Sequence, residues 1–173
     1  AMREERITAV APDPHYDLHT AWDLGVRDSM VVLFFQILPA MRVASRVLVV
    51  ACYSASGYGI GHYAEVIREF RERCGCLNGT DYVPHDARQR EMGNFGEDNL
   101  AKQRLEVMIE CRLNPKVVRQ HMLHDGISAV RQVLPRCLID EVGCETWLDG
   151  MRQYQTEWDD EAKVFRDKPL HNW

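Results

Sequence analysis

Residues 30–38 read Met30-Val-Val-Leu-Phe-Phe-Gln-Ile-Leu38, a nearly continuous apolar run. A run that short and that apolar reads as a strand buried on both faces. Arg46-Val-Leu-Val-Val-Ala-Cys52 reads the same way. Upstream, His19-Thr-Ala-Trp-Asp23 is short and β-prone, and Leu24-Gly25 marks a turn. Downstream, the small-residue stretch Ser54-Ala-Ser-Gly-Tyr-Gly-Ile-Gly61 leads into the clearest helix of the chain. There Tyr63, Val66, Ile67, Phe70 and Cys74 share one face, while Glu65, Arg68, Glu69, Arg71, Glu72 and Arg73 take the other. Gly75 stands where the helix should stop. Asp81-Tyr-Val-Pro-His85 is a further strand, with Pro84 implying a sheet edge or a strand end.

The second half is more polar. Residues 87–99 predict a loop, followed by a helix over Leu100 to Glu110. Ile127, Val130 and Leu134 form one helical face ended by Pro135, and Cys144, Trp147, Leu148 and Met151 form another. The acidic tail (Glu157, Asp159, Asp160, Glu161) predicts a solvated turn. Three strands in series, then helix, strand and helix, point to an α/β fold. Hairpin-linked strands followed by a crossover helix predict a mixed central β-sheet flanked by helices.

Length and charge exclude several classes. With 173 residues, the chain predicts a single domain that buries its own core. A net charge of −5 fits neither a basic nucleic-acid coat nor an acidic solvating tail. The longest apolar run, Met30 to Phe35, is too short to cross a bilayer, and no leader signals secretion. Ala1-Met2 reads as a cloning remnant. The six cysteines predict reduced thiols: the one-residue spacer of Cys74-Gly-Cys76 is too short for a zinc knuckle, and His121 and His124 lack a matching pair. No phosphate-binding P-loop is present, and the glycines at 57, 59 and 61 read as a turn. Ser54 and Ser56 lack the glycine-flanked elbow of serine hydrolases.

The carboxylates carry more. Asp23 ends one predicted strand and Asp86 follows another. If those strands are neighbours, their ends set two acids side by side, and hard divalent cations relieve the repulsion. From spacing alone, capping a turn remains the commoner role for each.

Four ordered segments weigh on that choice. They are Thr20-Ala-Trp-Asp-Leu-Gly-Val-Arg-Asp-Ser29, Tyr82-Val-Pro-His-Asp-Ala87, Asp125-Gly-Ile-Ser-Ala-Val-Arg131 and Phe165-Arg-Asp-Lys-Pro-Leu-His-Asn-Trp173. Together they resemble the C-terminal nuclease domain of the large terminase subunit of tailed bacteriophages and prophages. The resemblance covers essentially the whole chain. It implies a ribonuclease H-like domain that cuts concatemeric viral DNA during packaging, in the cytoplasm of the bacterial host. It also implies double-stranded DNA, an ATPase motor domain, the small terminase subunit and the portal as partners, with no membrane. The motor is not within these residues, so the chain reads as an excised nuclease domain.

By the same resemblance, Asp23 and Asp86 are the metal ligands and catalytic acids. Two Mg²⁺ or Mn²⁺ ions, roughly 3.5–4 Å apart, would bridge them and the scissile phosphate. Asp28 and His85 are close enough in sequence to serve as outer-shell groups. Arg88 and Arg90, just after Asp86, are placed to meet DNA phosphate, with Arg131 and Arg136 as further candidates. Two departures stand out. The family's third carboxylate follows the Pro-Leu-His-x-Trp segment, where this chain stops at Trp173. Cys52 falls where relatives usually carry an acid. Both lend weight to an alternative, a non-catalytic docking module for the motor or portal. A Holliday-junction resolvase would share the chemistry but not the four segments.

Overall fold

The computed structural model describes residues 6–25, 29–39, 45–88, 90–95, 101–153, 156–159 and 164–169. The elements in chain order are β1 (Ile7–Thr8), β2 (Asp17–Asp23), β3 (Met30–Leu38), β4 (Arg46–Ala55), α1 (Ile60–Cys74), β5 (Leu77–Val83) and a 3-10 turn (His85–Arg88). After these come β6 (Arg90–Phe95), β7 (Ala101–Gln103), α2 (Arg104–Glu110), β8 (Pro115–Val117), α3 (Leu123–Val133), β9 (Cys137–Asp140), α4 (Glu145–Gln153), β10 (Thr156–Asp159) and β11 (Val164–Pro169).

Seven strands form one sheet in the order β1-β9-β4-β3-β2-β5-β8. β2, β3 and β4 are antiparallel in turn, as hairpin-linked strands must be, whereas β5 joins β2 and β9 joins β4 in parallel. The sheet is mixed, as the sequence predicts. Alternation along β2 turns Leu18, Thr20 and Trp22 inward and leaves Asp17 and Asp23 exposed at its ends. On the inward side, Ile60, Tyr63 and Ile67 of α1 and Met108 of α2 pack with Leu18, Trp22, Val32 and Phe34. Each fully buried aliphatic or Phe side chain contributes roughly 1.5–3 kcal/mol. The opposite side has a smaller core, in which Val49, Cys137 and Ile139 meet Cys144 and Leu148.

Gln36 interrupts the apolar run of β3 and is fully buried. Its Nε2 donates to the carbonyls of Asp13 (2.8 Å) and Tyr16 (3.0 Å), and its Oε1 accepts from the Asp13 N–H (2.8 Å). It thus ties the loop before β2 to the sheet, which offsets the cost of burying an amide.

Several expectations are corrected. β5 begins at Leu77 and lies inside the sheet between β2 and β8, so Pro84 marks a strand end and not an edge. The polar stretch 87–99 holds the end of the 3-10 turn and β6, which pairs with β7, and the following helix starts at Arg104. Residues Arg90–Phe95 show no alternation of polarity, so their pairing was invisible to a periodicity argument. Glu157 and Asp159 lie in β10, paired with β11, and not in a turn; Asp160 and Glu161 fall outside the described residues. β1, β8 and β9 are two to four residues long, too short for a period to register. All six cysteines are free. Among the described residues, no helix is long and apolar enough to cross a membrane.

Candidate active site

β2 and β5 are parallel neighbours, with Thr20 opposite Asp81 and Ala21 opposite Tyr82. Their carboxyl ends therefore leave the sheet at the same edge. Asp23 is the last residue of β2. Past β5, Pro84 lacks the N–H to continue pairing. The chain closes instead into the 3-10 turn, with the Ala87 N–H bonded to the Pro84 carbonyl at 3.1 Å, and this turn carries Asp86 back over the edge.

Solvent reaches Asp23, yet the packed strand ends remove enough hydration to raise its carboxyl above the ordinary carboxylate range; the charge of Asp86 raises it further. Oδ1 of Asp86 is buried without a hydrogen-bond partner among the described residues. A buried, unpartnered carboxylate oxygen is costly. Two acids that repel each other, one with an orphaned oxygen, fit the donor set a hard divalent cation requires. Among the described residues, no group of three or more His, Cys, Asp or Glu is arranged to hold a metal.

The other candidates divide. His85 is exposed in the same turn as Asp86. Asp28 lies outside the described residues. Arg88 ends the turn and Arg90 opens β6, and for both the structure describes the backbone alone. Arg131 is exposed on α3. Arg136 immediately precedes β9, which runs parallel to β4 and hence to β2, so it sits at the sheet edge opposite Asp23 and cannot share its surface. Cys52 pairs with Leu33, which pairs with Ala21, one row inside Asp23 on the same face. Burial pushes its thiol up, keeping it protonated at neutral pH.

Beneath the acids runs a buried polar chain that sequence reasoning missed. Trp22 Nε1 donates to Thr20 Oγ1 (2.8 Å), which donates to Asp81 Oδ1 (2.7 Å). The same oxygen accepts from Arg71 Nη2 (2.9 Å), while Asp81 Oδ2 accepts from the Asn114 N–H (2.7 Å). Arg71 therefore faces the core and not the solvated side of α1. Its spacing differs little from that of its exposed neighbours; only Asp81, brought in by β5, explains its burial. Arg104 is a second buried cation, with Nη1 donating to the Leu24 carbonyl (3.2 Å) one residue past Asp23. Nothing in its polar surroundings signals that role.

No protein-family model and no curated protein matches the chain. Solved structures do. The large terminase of a thermophilic bacteriophage superposes with a TM-score of 0.69 at 16% identity, over 98% of this chain and 39% of its own. The nuclease domain of the bacteriophage P22 large terminase gives 0.62 at 16% identity, over 98% and 81%. The large terminase nuclease domain of bacteriophage SPP1, solved with bound Mn, gives 0.59 at 7% identity, over 95% and 85%. The chain thus spans about two fifths of the full-length terminase it resembles, and most of the isolated nuclease domains. Its fold is the ribonuclease H-like fold of the phage large-terminase nuclease domains.

Proposed function

We propose that this chain is the metal-dependent endonuclease domain of a phage or prophage DNA-packaging terminase, cutting concatemeric double-stranded DNA. The observation that carries the reading is the Asp23–Asp86 pair at one sheet edge, with a buried Asp86 oxygen lacking a partner among the described residues. The likeness to a terminase nuclease domain solved with Mn supports it. In this reading Asp23 and Asp86 hold Mg²⁺ or Mn²⁺, in a two-metal arrangement. Such ions, when bound, activate water for attack on phosphorus and offset charge on the leaving oxygen. The chain's own part is to present one carboxylate at the end of β2 and the other in the 3-10 turn that follows the neighbouring β5, so that little reorganises when the phosphate arrives. Asp23 also couples binding to pH. Protons and cations compete for its raised carboxyl, so metal affinity falls as pH drops toward that value. His85, Asp28, Arg88 and Arg90 complete the proposal as outer-shell and phosphate-contacting groups. A packaging ATPase domain, the small terminase subunit and the portal are the proposed partners, in the bacterial cytoplasm.

The test is nicking of supercoiled plasmid with Mn²⁺, with Mg²⁺ or with EDTA. Cutting that needs the metal and disappears in Asp23→Ala is the expected result. A second reading, a docking module without catalysis, is favoured by the lack of a third acid among the described residues and by the neutral Cys52. Absence of both cutting and Mn²⁺ binding, with an intact circular dichroism spectrum, would decide for it.

A further inference from the structure

The glycine-containing turn between β4 and α1 has no part in the site above, yet it stands at the same sheet edge. β4 runs parallel to β2, and Asp23, Val31 and Ser54 are paired across three adjacent strands. Ser54 is thus two strand spacings, roughly 10 Å, from Asp23. Just beyond it, Tyr58 is 57% exposed and stacks on the His62 ring at 4.1 Å between centroids. His62 is held from behind by the Tyr53 hydroxyl, 2.7 Å from its Nε2. Tyr53 in turn packs edge-on to Tyr63, which rests on Trp22 beside Asp23. His62 and Tyr53 are half-buried and Tyr63 is buried, so the exposed Tyr58 ring is held in place with little burial of its own in return, an order that is available to a contact outside the chain.

The surface around the pair is open. Residues 56–59 and Gly61 are exposed, and a Cβ added at Gly59 or Gly61 would meet nothing within 4 Å. Neither glycine has a positive φ, so backbone conformation does not require them. No acidic residue occupies the first turn of α1 to repel an anion. Tyrosine hydroxyls and imidazole N–H groups are suited to phosphate and sugar contacts, which position a duplex without reading its sequence. Measured along the duplex axis, roughly 10 Å corresponds to about three base-pair steps.

We propose that Tyr58 and His62 form a DNA-backbone contact, gripping the strand a few nucleotides from the phosphate held at Asp23 and Asp86. The proposal rests on the nuclease reading for its choice of ligand. Its test is fluorescence anisotropy of a labelled DNA duplex at low salt in EDTA, using the whole chain. Tyr58→Ala should weaken binding about tenfold, the scale of a lost hydrogen bond to a charged group. Gly61→Gln puts a good helix former on the open surface, so it should weaken binding without lowering the melting temperature. That combination separates a contact from a structural role. Duplex affinity unchanged in both variants, or no duplex binding by the parent chain, overturns the proposal. Plasmid nicking keeps the two readings apart. Asp23-dependent nicking with no Tyr58 effect on affinity sinks the contact alone, whereas Tyr58-dependent binding without nicking sinks the nuclease alone.

Discussion

Asp23 carries a carboxyl raised first by lost hydration and second by the charge of Asp86. A raised carboxyl binds its proton more tightly in the folded chain than in the unfolded one. Stability therefore falls as pH rises from the ordinary carboxylate value through the raised one; the penalty is absent below that window and full above it. Asp23→Asn should accordingly raise the melting temperature at neutral pH, by a few degrees at most. The gain should vanish in acid, a pattern that calorimetry at two pH values would check. On the proposed function, Mn²⁺ should raise the melting temperature of the parent chain and leave that of the variant unchanged. Asp86→Asn should return the Asp23 carboxyl toward its ordinary value, read by carboxyl-carbon NMR titration. Both aspartates were legible in the sequence as candidates, because Asp23 ends one predicted strand, Asp86 follows another, and both lie in segments that carry the family resemblance. Their mutual influence was not, since 62 residues separate them and only parallel pairing of β2 with β5 brings them together.

At the scale of elements, the β2–β5 pair positions the site, and its register shifts between Leu18 and Thr20. Gly79 sits against that irregularity: a Cβ there would lie 2.6 Å from the Leu18 carbonyl oxygen. Gly79→Ala should therefore force the strands apart, costing about 1–3 kcal/mol in urea unfolding. It should also lower Mn²⁺ affinity measured by calorimetry, because Asp23 and Asp86 move with their strands. The ion pair of Arg71 and Asp81 locks the same strands to α1. Arg71→Met strands a buried carboxylate and should cost about 3–5 kcal/mol, although a buried pair adds little net stability over an apolar replacement of both partners. Of these elements, α1 was legible to its last turn. Its apolar stripe has the helical period, and Gly75, at φ 66°, ends it with N–H bonds to carbonyls of the final turn.

Across the whole molecule, a net charge of −5 sets the terms for any DNA complex. Phosphate contacts should be few, and affinity should fall with added salt along a shallow slope; a steep slope in anisotropy titrations would contradict this. The sequence by itself determined the layer architecture. Apolar runs at strand length, a helical stripe and hairpin spacing are local patterns, set by the period at which side chains alternate between core and water. It also singled out Asp23 and Asp86 as the acids to propose for the site. Tertiary structure alone decided the rest. It made β5 an inner strand, turned Arg71 and Arg104 inward, sent Arg136 to the far edge, and gathered Asp23, Asp86 and the Tyr58–His62 pair on one edge. These outcomes depend on which strands pair, in what direction and in what register. That choice is made by contacts between residues far apart in the chain, and no local period records it.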